Sequence, residues 1–214
     1  MSSLSVPAAG GRRLVLADLL PGARLRDVAL VVGAAGFVGL CAQISIPLPF
    51  TPVPLTMETF GVLLAGASLG LRRGALGMLL YLALGMVGLP WFAGHHGGVA
   101  IVHAASFGYL AGFPVAAALV GALAARGGDR TVRRTALTMA LGSLVIYSFG
   151  LVWLMATLHV SLAEGLTLGV TPFLAGDLVK LAVAVGLLPT TWRLLGVAQR
   201  SDGRRHGITE LEDR

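Results

Sequence analysis

From Thr135 to Leu158 the chain runs for twenty-four residues without a charge. A helix needs about 20 apolar residues to cross the ~30 Å hydrocarbon layer of a bilayer. Inside lipid, every backbone N–H and C=O must also find its partner within the segment or a neighbour. Such a run is expected to be a membrane-spanning helix, and five further apolar runs accompany it. They are predicted over about Val28–Gln43, Pro54–Leu71, Gly74–Gly88, Ala105–Ala125 and Thr171–Leu188. The second of these is argued from length, because the residues between Glu58 and Arg72 give only roughly 20 Å of helix. Its start is therefore expected at Pro54, a favoured first-turn residue. The composition agrees, with 56% hydrophobic and 12% charged residues, and 30 glycines suit helices that approach closely through small residues.

Charge sets the orientation. Of 16 lysines and arginines, four (Arg12, Arg13, Arg24, Arg26) precede the first run, two form the link Arg72-Arg73, four lie from Arg126 to Arg134, five follow Leu188, and Lys180 stands inside a run. The three intervening loops hold none. Lysine and arginine gather in cytoplasmic loops, so both termini are expected in the cytoplasm. Residues 1–27 and 198–214 then form polar tails around one membrane domain, residues 28–197. The excess positive charge reports orientation and calls for no nucleic-acid partner. The apolar piece Leu14–Leu20 is interrupted by Asp18 and is too short for a signal-peptide core. The one cysteine, Cys41, excludes an intramolecular disulfide.

Asp177 and Lys180 are the only charges between Gly165 and Trp192. Ions at membrane depth are costly and are retained for function. Three residues apart on a helix, these two share a face, as a ligand site or as an ion pair that pins packing. The other unusual residues also fall toward the outside. Four prolines between Pro47 and Pro54 forbid a helix there and give a stiff external loop. Glu58 either lines a cavity or favours its helix N-terminus. Trp91, Phe92, Gly94 and Gly98 belong to a loop able to cover a pocket, with Trp91 and Phe92 alternatively acting as interface anchors. His95-His96, without further ligands at suitable spacing, is a weak metal signal, and no metal is expected. Tyr109, flanked by glycines, is read as a pocket wall. The convergence suggests an outward-opening pocket for a small molecule. No ATP-binding loop is present, so any energy source must be a partner.

Taken together, Gln43–Pro49, Val53–Thr59, Gly88–Gly94, Gly108–Phe113 and the Gly-Asp-x-x-Lys motif of Gly176–Lys180 resemble the BioY family, the biotin-binding S components of energy-coupling factor (ECF) transporters. The resemblance spans about residues 28–190. It implies a six-helix all-α S-component fold in the plasma membrane, biotin as transported ligand with no cofactor, and assembly with a coupling transmembrane subunit and two ATPase subunits. It also implies that Asp177 and Lys180 form the polar core of the biotin site, with Tyr109 beside it. Glu58 stands where the pattern has glutamine, and His95-His96 replaces part of a glycine-rich run. The small-residue pairs Ala29/Gly33 and Ala35/Gly39 on the first helix resemble the docking surface for the coupling subunit, the alternative being intrachain packing.

The chemistry suits biotin. A cyclic urea has N–H donors for a carboxylate and a carbonyl acceptor for an ammonium, and charge-assisted bonds are the strong ones. The alternatives are an S component or solitary carrier for another vitamin, and an intramembrane enzyme using Asp177 and Lys180 as acid and base. No second carboxylate deep in the bundle, no Ser/His dyad and no metal-ligand set support the enzyme.

Overall fold

The computed structural model describes residues 15–19 and 24–212, with residues 18, 19, 24 and 196–212 described by backbone alone. Most of the expected N-terminal tail, including Arg12 and Arg13, lies outside the described residues. Val15 and Ala17 are buried, and Val15 packs on Gly70.

Among the described residues, six α-helices carry the fold: α1 (Arg24–Gln43), α2 (Glu58–Val87), α3 (Phe107–Ala124), α4 (Val132–Leu158), α5 (Leu162–Gly169) and α6 (Leu174–Glu212). Among the described residues, five segments are long and apolar enough to cross a membrane: Leu25–Gln43, Glu58–Val87, Phe107–Ala124, Val132–Leu158 and Leu162–Leu195. Between α1 and α2, the strands β1 (Ser45–Ile46) and β2 (Leu55–Thr56) pair antiparallel and close the proline-rich loop into a hairpin. That pairing corrects the expected helix start at Pro54. Residues 55–56 bond across the hairpin, Met57 N–H reaches Ile44 O (3.1 Å), and α2 begins only at Glu58.

α2 is not straight. Gly70 adopts φ 82°, ψ 178°, a region open almost only to glycine, and there the chain doubles back. A Cβ on Gly74 would lie 3.1 Å from Gly66 Cα, whereas eight residues of unbroken helix would separate them by about 12 Å. The arms 58–69 and 71–87 thus pack on each other and on α3, where Gly66 leaves no room for a side chain: an added Cβ would sit 2.7 Å from Ala117 O. Tyr81, Met78, Phe92 and Phe113 fill the core around this hairpin.

The last span also differs from its expected bounds. Thr171–Phe173 form a 3-10 turn, and α6 runs from Leu174 through Pro189 instead of ending at Leu188. Proline takes a helical φ but loses the bond to the carbonyl four residues back and crowds that carbonyl, and here the helix continues past it. Beyond it, Trp192 Nε1–H donates to Asp129 Oδ2 (2.6 Å), and the Arg130 guanidinium lies 3.3 Å from the Trp192 ring centre. Asp129 is fully buried. Burial pushes its carboxyl above the usual range, opposed by the Trp192 bond and the Arg130 charge. This contact ties α6 to the α3–α4 connection at the end away from Asp177.

Candidate functional site

α6 presents Asp177 and Lys180 on one face, one helical turn apart, and their ion pair is 3.1 Å. Each has a second partner from another helix. Tyr147 OH on α4 donates to Asp177 Oδ2 (2.5 Å), and Lys180 Nζ donates to Thr59 Oγ1 on α2 (2.9 Å). The side chains are 19% and 11% exposed. Four hydrogen-bonding groups from three helices therefore converge where α2, α4 and α6 meet.

They form one wall of a cavity of about 260 Å³. The hairpin residues Pro52–Thr56 cover it from one side, and Phe92, His96 and Ile101 of the α2–α3 loop from the other. Tyr109 and Phe113 of α3 and Phe173 before α6 complete apolar and aromatic sides. Few polar groups set in aromatic and aliphatic walls are what a small-molecule site requires. On its far side the Asp177, Lys180, Tyr147 and Thr59 wall borders a second, apolar cavity of about 580 Å³ between α4 and α6.

Glu58 also reaches the first cavity, 5% exposed, with Tyr81 OH donating to its Oε1 (2.5 Å) and its own N–H donating to Thr56 Oγ1 (3.3 Å). Tyr81 extends this into a tether for the covering loop. Trp91 Nε1–H donates to Tyr81 O (3.1 Å), and Gln43 Nε2 donates to Trp91 O (2.8 Å) and Gly39 O (2.9 Å). Phe92 stands edge-on to Tyr81, with ring centres 5.4 Å apart and planes at 87°.

Of the residues expected in a pocket, Asp177, Lys180, Tyr109, Glu58 and Phe92 line one cavity. Trp91, Gly94 and Gly98 do not line it. Trp91 holds the loop down, while Gly94 (φ 72°) and Gly98 (φ 96°) set its turns. Tyr109 both faces the cavity and donates to Gly169 O (2.7 Å), joining α3 to the end of α5. The sequence reading passed over Tyr147 and Thr59. A lone tyrosine in an apolar run is indistinguishable from an interface residue, although Thr59 could have been flagged by its place beside Glu58.

On α1, the two small-residue pairs part company. Ala29 and Gly33 are exposed, and nothing lies within 4 Å of a Cβ on Gly33. Ala35 is 1% exposed, and a Cβ on Gly39 would lie 2.8 Å from the Trp91 ring. Ala35 and Gly39 are thus used for packing within the chain, which leaves Ala29 and Gly33 as the outward pair.

The fold and the chain's relatives agree. The crystal structure of the S-component for biotin from an ECF-type ABC transporter superposes with a TM-score of 0.69 at 23% identity, covering 79% of this chain and 92% of that one. The chain is 40% identical over 162 residues to the probable biotin transporter BioY of Pyrococcus horikoshii, covering 76% of this chain and 93% of that protein. It is 35% identical over 167 residues to the biotin transporter BioY of Rhizobium etli, covering 74% and 89%. The BioY family model matches residues 13–197, and the chain belongs to the BioY family.

Proposed function

We propose that this protein is the biotin-binding membrane subunit, or S component, of an ECF-type uptake system, and that it captures biotin from the outside. The observation that carries this is the Asp177–Lys180 pair, braced by Tyr147 and Thr59 in the wall of a cavity whose other walls are apolar and aromatic. Asp177 accepts from the ligand's N–H groups and Lys180 donates to an oxygen. The names borne by the relatives from Pyrococcus and Rhizobium support biotin as the ligand. No step of chemistry on the ligand is involved, so the protein acts as a transporter component and not as an enzyme.

In this reading the chain crosses the plasma membrane six times, the two arms of α2 counting as two crossings, with both termini in the cytoplasm. The distribution of arginine supports that orientation. Energy comes from two ATPase subunits through a coupling transmembrane subunit, which docks along the Ala29 and Gly33 face of α1. Mass spectrometry of the ligand retained by protein purified from cells grown on biotin tests the assignment. Unchanged biotin at one equivalent or less is expected, while retention of thiamine or another vitamin in its place would reject it.

A further inference from the structure

Behind the ligand wall lies the second cavity, of about 580 Å³. Along α4 its lining runs from Leu151 to Met139, a stretch of about 18 Å of helix. Leu63 of α2 and Leu181 of α6 complete it. Two further lining residues, Leu144 on α4 and Leu178 on α6, are 61% and 67% exposed, so the cavity is a groove open between the two helices. Val152 and Val179 beside it are exposed as well. In a multi-pass membrane protein such apolar faces meet lipid, and the groove is continuous with them.

The groove does not run the full depth of the membrane. Toward the other end of the same helices, Thr135 and Leu188 are fully buried and Trp192 bonds to Asp129. A neighbouring transmembrane helix, about 10 Å across, lies along the whole ~30 Å hydrocarbon layer and would find this groove closed partway. A hydrocarbon chain of one leaflet covers about half of that layer, ~15 Å, which matches the groove's length. Leu166 and Val170 line the groove at its α5 end, which is the outer leaflet in the orientation proposed above.

The polar groups at the groove also suit hydrocarbon. Asp177, Lys180, Tyr147 and Thr59 bond to one another, and Ser148 Oγ donates back to Leu144 O (2.7 Å). Each already has a partner in the protein, so an apolar occupant strands none of them. Water in the same place would compete for the Asp177 and Lys180 bonds. Hydrocarbon does not, and hydrogen bonds are electrostatically stronger in low-dielectric surroundings.

We propose that the groove between α4 and α6 is a lipid site that seats one acyl chain of an outer-leaflet phospholipid, and that this chain seals the rear of the Asp177–Lys180 wall. The effect on ligand binding rests on the biotin reading above; the lipid site itself does not.

The test uses the full-length protein, purified free of lipid in a sterol-based detergent, which carries no straight alkyl chain. It is then supplied with palmitoyl-oleoyl phosphatidylglycerol, or with dihexanoyl phosphatidylglycerol, which has the same headgroup and chains too short to fill the groove. Native mass spectrometry is expected to show one palmitoyl-oleoyl lipid retained per protein. Biotin affinity by calorimetry is expected to rise by about threefold to tenfold on its addition, the order of one strengthened hydrogen bond. The dihexanoyl lipid should do neither. Ser143 and Ala140 line the groove and not the ligand cavity, and Ser143→Phe or Ala140→Phe fills the groove with protein. Either folded variant should retain no lipid and bind biotin with an affinity that lipid does not change. No lipid on the wild type, retention undiminished in both variants, a second copy of the chain retained in its place, or an equal response to the dihexanoyl lipid would overturn the acyl-chain site. A wild type that retains the lipid while its biotin affinity stays flat would overturn the seal. Retained lipid with no biotin binding in any condition would overturn the biotin reading and leave the lipid site standing.

Discussion

Asp177 offers two oxygens, and each is already met once, by Tyr147 OH and by Lys180 Nζ. An ionised carboxylate has about four acceptor positions, so capacity remains for a ligand's N–H groups, and the two existing bonds decide where that capacity points. Tyr147 acts by positioning the carboxylate. Tyr147→Phe removes one neutral donor and is expected to weaken biotin binding by about threefold to tenfold, measured by calorimetry, with an unchanged melting temperature showing that the fold is kept. Loss of binding with loss of folded protein would instead make the bond a packing device. The charged pair was legible in the sequence because two ions in a long apolar run have few bland explanations. Tyr147 was not, since the run around it says nothing about which face of α4 meets α6. His96 lay between these cases, visible as a polar loop residue but not as a cavity residue until the loop's path was known.

The element that makes the site possible is α2, whose arms fold back at Gly70. The short first arm brings Thr59 to Lys180 and Glu58 to the cavity, and the second arm carries Tyr81, which holds Trp91 and the covering loop. Gly70→Ala forces a side chain into a backbone region it avoids and is expected to cost about 1–3 kcal/mol, read as a lower melting temperature in detergent. An unchanged melting temperature would mean that the bend adjusts freely. The long helices fall on the expected apolar runs, two of those runs being the arms of α2, but the beginning of α2 could not be read from them. Length alone argued for a start at Pro54, because a helix facing lipid must bury its whole thickness. The β1–β2 hairpin meets that need differently, capping the short arm and satisfying residues 55–56 across strands. Pairing between segments ten residues apart leaves no periodic mark in so short a stretch.

At the scale of the molecule, polar chemistry collects at one end and basic connections at the other. The pairs Ala29/Gly33 and Ala35/Gly39 share the same spacing and could not be told apart in the sequence, whereas in the fold Ala35 and Gly39 pack within the chain and Ala29 and Gly33 face outward. Gly33→Leu is expected to reduce co-purification with the coupling subunit while leaving biotin binding intact, since nothing occupies the space it would enter. Gly39→Leu drives against the Trp91 ring and is expected to disturb the covering loop and weaken biotin binding. The reverse pattern would exchange the roles of the two pairs. The central claim is that the Asp177 carboxylate, held in the cavity wall by α4 and α6, is what recognises the ligand, and calorimetric titration of biotin into the purified wild type and Asp177→Asn tests it most directly. The substitution keeps the shape and removes the charge, so affinity is expected to fall by about 10- to 100-fold with the fold retained. Biotin binding equally tight in the folded variant would contradict it.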